Sequence, residues 1–121
     1  MKRLLLLLTA LVASLTIAHA GLIERYQARL GSAAHYNSNG QRLWSAPAII
    51  RQERANFYNG IREPESQGES FFSDYNNRAR LESLLENGWA SQDVVNEIVN
   101  GTPLIQVDVF DTGVKVFILS H

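Results

Sequence analysis

The apolar pattern of this chain changes its period at Pro103, and that change constrains the fold more than any other feature. Residues 104–110 and 114–119 alternate and are rich in β-branched and aromatic side chains, so both segments are predicted to be strands. Residues 111–113 read Asp-Thr-Gly, which favours a three-residue turn with the glycine in the left-handed conformation. The sequence therefore predicts a C-terminal antiparallel β-hairpin.

An isolated two-stranded hairpin is marginally stable in water, so this one has to pack against helices or recruit further strands. Residues 117–119 read Phe-Ile-Leu, and this continuous apolar run predicts that the last strand is covered on both sides. The recruited strands could come from another copy of the chain or from another protein. A strand-exchanging structural oligomer is one hypothesis that follows.

The part of the chain before Pro103 shows helical patterns. The predicted helices are an apolar stripe at Leu22, Ile23, Tyr26 and Leu30; residues 45–59, capped by Ser45; a stretch from Ser66 or Ser70 to Leu85, kinked or split at Asn76-Asn77; and a short helix capped by Ser91. Asn-Gly pairs follow the last three, and both residue types tolerate the left-handed conformation at a helix C-terminus. The predicted fold class is α+β, with about four helices followed by a C-terminal antiparallel β-hairpin.

The first 20 residues have the pattern of a secretory signal peptide. A basic start is followed by an apolar run over residues 4–18, and Ala18-His19-Ala20 places small residues where a signal peptidase reads them. The apolar run is too short for a comfortable membrane span. We therefore predict cleavage between Ala20 and Gly21. Residues 21–121 would form a single small exported domain, periplasmic or secreted, with no stable membrane anchor after cleavage.

Composition excludes several classes of function. The chain has no cysteine, so disulfides and cysteine-based catalysis are ruled out and stability has to come from packing, a partner or self-association. Residues 21–121 carry nine basic and twelve acidic side chains, a net charge of −3, which disfavours a nucleic-acid partner. Eight of the nine basic residues are arginine, and internal ion pairs with the acids are the expected use of them.

Two loops are the candidates for a binding surface. Residues 32–44 form the longest stretch without a regular pattern and contain His35, Tyr36 and Trp44. Residues 60–66 form the second and contain Arg62. Rigid aromatic and arginine side chains supply most of the binding energy at protein interfaces. We therefore predict Tyr36, Trp44, Arg62 and His35 as binding residues, with His35 otherwise expected to be a solvated side chain.

Glu53 is the one candidate for chemistry. On a helix over residues 46–58 it falls near the middle of the apolar stripe, where a carboxylate either meets an arginine or is held neutral. The structural interpretation is an ion pair with an arginine of another helix, namely Arg78, Arg80 or Arg25. The catalytic interpretation is a general acid in a cleft, which would need a second carboxylate. The candidates for that second group are Glu63, Glu65, Glu69 and Asp74.

No other constellation predicts catalysis, a metal site or a cofactor. Histidine and cysteine pairs with metal-ligand spacing are absent from the sequence, as are a nucleophile elbow and a phosphate-binding glycine loop. The leading hypothesis is a small exported binding or interaction protein without catalytic activity of its own. Its partner would be another envelope or extracellular protein. The alternatives are a small cell-envelope hydrolase that uses Glu53 as general acid, and a homo-oligomer formed through the C-terminal hairpin.

Overall fold

The predicted C-terminal hairpin is present, and a strand from the beginning of the described chain completes its sheet. The computed structural model describes residues 21–121, and the predicted signal peptide, residues 1–20, lies outside the described residues. The strands are β1 (Leu22–Arg29), β2 (Leu104–Phe110) and β3 (Val114–Ser120); the helices are α1 (Ala46–Tyr58), α2 (Tyr75–Ala79), α3 (Leu81–Asn87) and α4 (Gln92–Asn100), with a 3-10 helix at Ser32–His35. The described chain is thus a mixed helix and sheet fold with four α-helices and a three-stranded antiparallel sheet, and its helices do not all precede the strands.

The prediction of a helix over residues 22–30 is wrong, because this segment is strand β1. Leu22, Tyr26 and Leu30 are four residues apart, a spacing that places side chains on one face of a helix and equally on one face of a strand. Tyr26, Ala28 and Leu30 are all almost fully buried, which is the alternation of a strand. The hairpin thus recruits its third strand from this chain, and β2 lies at the centre of the order β1-β2-β3.

The helices cover one face of the sheet. Tyr26 of β1 pairs with Val107 of β2, which in turn pairs with Val116 of β3, and all three side chains are buried. Ile49 of α1 and Ile98 of α4 are fully buried in the same core. The opposite face is partly solvated. Its side chains include Arg25, Gln27, Gln106, Asp108 and Lys115, together with Phe117, which packs against Trp89.

Strand β3 lies at the edge of the sheet, and its side chains show that the prediction of a strand covered on both sides is wrong, because Phe117 and Ile118 are only half-buried. Leu119 remains 46% exposed. The first half of the outer edge pairs with the segment after α3: the Trp89 amide donates to the Val114 carbonyl at 2.8 Å, and the Val116 amide donates to the Trp89 carbonyl at 3.0 Å.

Serine caps fix the two helices whose starting points the sequence predicts. The Ser45 hydroxyl accepts from the Ala48 amide at the start of α1, and the Ser91 hydroxyl accepts from the Val94 amide at the start of α4. Each bond satisfies a backbone donor that has no partner inside its helix. Both predicted helices are confirmed.

The predicted helix between Ser66 and Leu85 is two short helices. Asp74 caps α2, and the break lies at Arg80 rather than at Asn76-Asn77. Residues 66–69 are not a capping box, because they run along the outer edge of β1: the Gln67 amide donates to the Gln27 carbonyl at 2.9 Å. This edge contact outweighs the local capping preference.

The glycines at the turns differ from the prediction in part. Gly60, after α1, has a φ of +92°, as expected for a helix C-terminus. Gly88, after α3, has a φ of −98°, and Gly113 in the hairpin turn is not in the left-handed region either. A glycine is required at both positions for a different reason, because the backbones of residues 88 and 113–114 lie in close contact. Within residues 21–121, no helix is long and apolar enough to cross a membrane.

Candidate functional site

The loop predicted to be irregular contains an ordered hairpin. Tyr36 and Arg42 form an isolated antiparallel bridge, and the Asn37 amide donates to the Gln41 carbonyl at 2.9 Å. The side-chain oxygen of Asn37 accepts from the backbone amides of Asn39 and Gln41, both at 2.9 Å. An asparagine that binds its own turn in this way makes the turn rigid. We call residues 36–44 the aromatic hairpin.

Two side chains tie the aromatic hairpin to the C-terminal end of α4. The His35 Nε2 atom lies 2.9 Å from the Ile98 carbonyl oxygen, and Arg42 donates to the Val99 carbonyl at 2.7 Å. The last carbonyls of a helix have no partner inside the helix, and a positive charge is favourable beside them. The hairpin is therefore held in place on α4.

His35 is 4% exposed, so the prediction of a solvated side chain is wrong. Its Nδ1 atom lies 2.8 Å from the Gly31 carbonyl oxygen, which leaves both ring nitrogens facing carbonyl oxygens. Two polar partners make it favourable to bury the ring under the loop. His35 thus lies behind the surface and orders the hairpin that carries Tyr36.

The other two predicted residues of this loop are exposed. Trp44 is 68% and Tyr36 is 44% exposed. The Arg42 guanidinium lies 4.3 Å from the centre of the Trp44 ring, so it stacks on the indole and restricts its orientation. A large aromatic side chain that is both exposed and held in one orientation loses little entropy when a partner covers it.

A groove of about 730 Å³ runs beside the aromatic hairpin along the outer face of α1. Its walls are Ser38, Leu43 and Ser45 on the hairpin side and Tyr75, Arg78, Ala79 and Glu82 on α2 and α3. Its floor is one face of α1, from Pro47 through Ala48, Arg51, Gln52 and Ala55 to Asn59. We call it the α1 groove, and its volume lies within the range of roughly 300–1,000 Å³ that is typical of ligand sites.

The sequence did not predict the α1 groove. Tyr75, on the groove wall, is 65% exposed. Two guanidinium groups lie near its ring, whose centre is 6.0 Å from that of Arg51 and 5.7 Å from that of Arg78. The available signal was the polar and small side chains of Arg51, Gln52, Ala55 and Asn59 on one face of α1, but such a face is equally typical of a solvated helix.

Arg62 does not join the surface formed by the aromatic hairpin. It follows the C-terminal end of α1 and Trp44 precedes the N-terminal end, so the length of a 13-residue helix, about 20 Å, separates them. The Arg62 guanidinium donates to the Phe57 carbonyl at 2.8 Å and lies 4.4 Å from the centre of the Phe57 ring. These contacts make it part of the packing around the end of α1.

Glu53 is buried in an ion pair with the residue next to it. Arg54 donates to the two carboxylate oxygens of Glu53 at 2.6 and 2.7 Å, and both residues are at most 5% exposed. The predicted partners Arg78, Arg80 and Arg25 are wrong. Adjacent residues on a helix normally point in different directions. Here the long arginine side chain reaches back to the same buried space.

A second carboxylate shares the same guanidinium. Arg54 also contacts Glu69 at 3.2 Å, and it lies 4.1 Å above the centre of the Tyr26 ring. Glu69 accepts a hydrogen bond from the Phe72 amide at 2.6 Å and one from the Tyr58 hydroxyl at 2.7 Å. One cation thus serves two buried carboxylates.

Burial is the largest effect on Glu53, and it raises the pKa of this carboxyl above its ordinary value despite the hydrogen bonds from Arg54. The cavity beside Glu53 has a volume of only about 90 Å³. Enclosed sites for small molecules usually exceed roughly 300 Å³. Of the carboxylates considered as a second catalytic group, Glu63 lines this cavity, whereas Glu69 packs against Arg54.

The described residues offer no site for a metal ion. Within residues 21–121, no group of three or more histidine, aspartate or glutamate side chains is arranged to hold a metal ion. The chain matches no protein-family model, no curated protein and no solved structure.

Proposed function

We propose that this chain is a small exported binding protein, periplasmic or secreted, without catalytic activity of its own, and that the aromatic hairpin carries its binding surface. The proposed partner is another envelope or extracellular protein. The observation that carries the proposal is Trp44, a large aromatic side chain that is 68% exposed on a loop held by hydrogen bonds at both ends.

Three properties of this surface favour protein binding. Trp44 and Tyr36 are of the residue types that dominate binding energy at interfaces, and the stacked Arg42 is a third. The hairpin is ordered before any partner arrives, so little conformational entropy is lost on binding. The adjoining α1 groove, of about 730 Å³, extends the contact area beyond the hairpin.

The hydrolase alternative is less well supported. Glu53 is paired in bidentate fashion with Arg54, and the cavity beside it, about 90 Å³, has little room for a sugar ring. A general acid has to reach the atom to which it gives its proton. In this proposal Glu53 has a structural role, as the partner of Arg54 in a buried ion pair.

The test is chemical crosslinking in the cells that make the protein, followed by purification of a tagged chain and mass spectrometry. We expect one stoichiometric envelope or extracellular partner, whose recovery falls at least about fivefold in Trp44→Ala, since a truncated interface anchor costs more than about 1 kcal/mol. Ile61→Ala is the matched control, because Ile61 is 61% exposed at the far end of α1.

Two results would overturn the proposal. Equal recovery of the partner with Trp44→Ala and with the wild-type chain would remove the aromatic hairpin from the binding surface. Crosslinks only between copies of this chain would replace a protein partner by self-association. Circular dichroism on both variants shows whether the fold is intact, since neither side chain belongs to the core.

A further inference from the structure

Most arginines of this domain do not form the internal ion pairs that composition predicts. Within residues 21–121, three of the eight arginines contact a carboxylate: Arg25, Arg29 and Arg54. The other five carry positive charge that no described carboxylate neutralises. Because the domain as a whole is negatively charged, a place where such arginines lie close together is a locally positive surface.

Two of these five arginines meet in the α1 groove. The Arg51 side chain has no hydrogen bond or ion pair with any residue of the described chain, and the residue is exposed. Arg78 uses one nitrogen, Nη1, for the carbonyls of Phe72 and Ser73, and its other nitrogens have no partner among the described residues. Both guanidinium groups lie about 6 Å from the centre of the same Tyr75 ring, on the groove wall. Both guanidinium groups therefore offer free donors to the groove near Tyr75.

The length of the groove fits an extended polypeptide. Its lining follows α1 from Ser45 to Asn59, which corresponds to about 21 Å at 1.5 Å per residue. An extended chain advances about 3.3 Å per residue, so roughly six residues would occupy this length. Small side chains, Ala48 and Ala55, lie on the floor and allow a backbone to approach closely.

We propose that the α1 groove binds an extended, acidic segment of the partner protein, with a carboxylate of that segment held between Arg51 and Arg78. Guanidinium groups bind carboxylates with short, directed hydrogen bonds, and Tyr75 excludes water from one side of the contact. Glu82 is the one acidic residue in the lining, so the groove is net positive. This inference rests on the proposed function and names the chemistry of the partner.

The experiment uses purified ¹⁵N-labelled protein and a capped hexapeptide of alternating alanine and glutamate. The controls are the same peptide with glutamine and with lysine in place of glutamate. We expect the glutamate peptide to shift the side-chain Nε–Hε signals of Arg51 and Arg78, and neither control to do so. Raising the salt concentration from 50 to 500 mM, values chosen to shorten the screening length from roughly 14 Å to 4 Å, should weaken the binding.

Arg51→Gln should lower the affinity for the glutamate peptide about threefold, as expected for the loss of a partly exposed charge pair. Arg80→Gln is the matched control, because Arg80 is exposed, lies outside the groove lining and has one long hydrogen bond, 3.4 Å, to Asn77. Equal affinity of all three peptides would overturn the inference. So would an Arg51→Gln variant that behaves like Arg80→Gln, or the absence of any shift at millimolar peptide.

A further arm distinguishes the class of occupant. If glucuronate shifts the same arginine signals and the hexapeptide does not, the ligand is an acidic sugar and the polypeptide inference is wrong. Failure of this inference is separable from failure of the proposed function. Trp44→Ala can abolish crosslinking to a partner while the glutamate peptide fails to bind, and in that case only the acidic segment is disproved.

Discussion

Gly88, at the end of α3, lies in direct backbone contact with Val114, the first residue of β3. A Cβ atom on Gly88 would lie 2.6 Å from the Val114 nitrogen and would overlap its carbonyl oxygen. Gly113 completes the contact, because a Cβ atom there would lie 2.9 Å from the Gly88 Cα. The two glycines let the helix end approach β3, so that Trp89 pairs with its outer edge.

Gly88→Ala should therefore destabilise the protein by about 1–3 kcal/mol, the usual cost of forcing extra atoms into a packed contact. Ser83→Ala in the same helix is the control, since Ser83 is exposed and its truncation should change the free energy of unfolding by less than about 0.5 kcal/mol. Urea denaturation of both variants measures the difference. Equal stability of the two would contradict the close contact.

The sequence predicted those elements whose determinants are local. Serine caps and apolar periodicity are enough for α1 and α4, and alternation is enough for the hairpin of β2 and β3. Strand β1 could not be predicted in this way, because apolar spacings of four fit both a helix and a strand. The strand conformation is selected by β2, which lies some 80 residues away in the sequence. Strand β1 forms backbone hydrogen bonds with the edge of β2 that β3 does not occupy.

The candidate site was predictable to the same extent. Exposure of Trp44 and Tyr36 follows from their position in a polar loop, and burial of Glu53 follows from its place in an apolar stripe. The burial of His35 depends on α4, and the α1 groove exists only once α2 packs beside α1. Such tertiary contacts leave no periodic signal in the sequence.

Arg54→Met should cost about 3–5 kcal/mol at neutral pH, because it leaves the carboxylates of Glu53 and Glu69 buried without their shared cation. The loss should be smaller at pH 4, because burial raises the pKa of Glu53 and more of that carboxyl is then protonated and uncharged. Arg80→Met is the exposed control and should stay within about 0.5 kcal/mol of the wild type. Chemical denaturation at the two pH values measures both. A loss that is the same at pH 4 and pH 7 would contradict the shared ion pair.

Glu53→Gln tests the raised pKa of this carboxyl. Because its folded pKa lies above the ordinary value near 4.5, the folded state binds the proton more tightly, and the stability attributed to Glu53 falls as the pH rises through that interval. Glutamine cannot titrate. The free energy of unfolding of the variant relative to the wild type should therefore move in favour of the variant between pH 4 and pH 7. A difference that moves in favour of the wild type would show that Arg54 has a larger effect than burial on the pKa of Glu53.

His35→Ala should loosen the aromatic hairpin, because it removes a buried ring that bonds the carbonyls of Gly31 and Ile98. The expected loss is about 1–3 kcal/mol, the cost of leaving buried polar groups without partners. Hydrogen exchange of the Leu43 amide, which donates to the His35 carbonyl at 2.8 Å, reports on the hairpin locally. Exchange should accelerate at Leu43 more than in β2. Uniform acceleration would instead indicate global destabilisation.

Light scattering on the purified protein should give the mass of one chain. Other segments of the same chain already form hydrogen bonds with the backbone of the two edge strands, β1 and β3, along part of their length. On β1, the Gln27 carbonyl accepts from the Gln67 amide at 2.9 Å, and the Arg29 amide donates to the Ser66 hydroxyl at 3.0 Å. On β3, Trp89 occupies the edge at Val114 and Val116. Residues 117–120 of β3 make no backbone hydrogen bond outside the sheet within the described chain.

A strand-exchanging oligomer formed through the C-terminal hairpin would pair these residues of β3 with a strand of another copy. Leu119→Lys tests that possibility directly. A charged side chain on an exposed edge strand opposes pairing with another strand. Leu119 is 46% exposed, so the substitution should leave the fold and a monomeric mass unchanged. If the wild-type chain scatters as a dimer and Leu119→Lys as a monomer, the C-terminal hairpin is the interface and the oligomer hypothesis replaces the expectation of a monomer. If both scatter as a dimer, self-association takes place on another surface, and the aromatic hairpin becomes the next one to change.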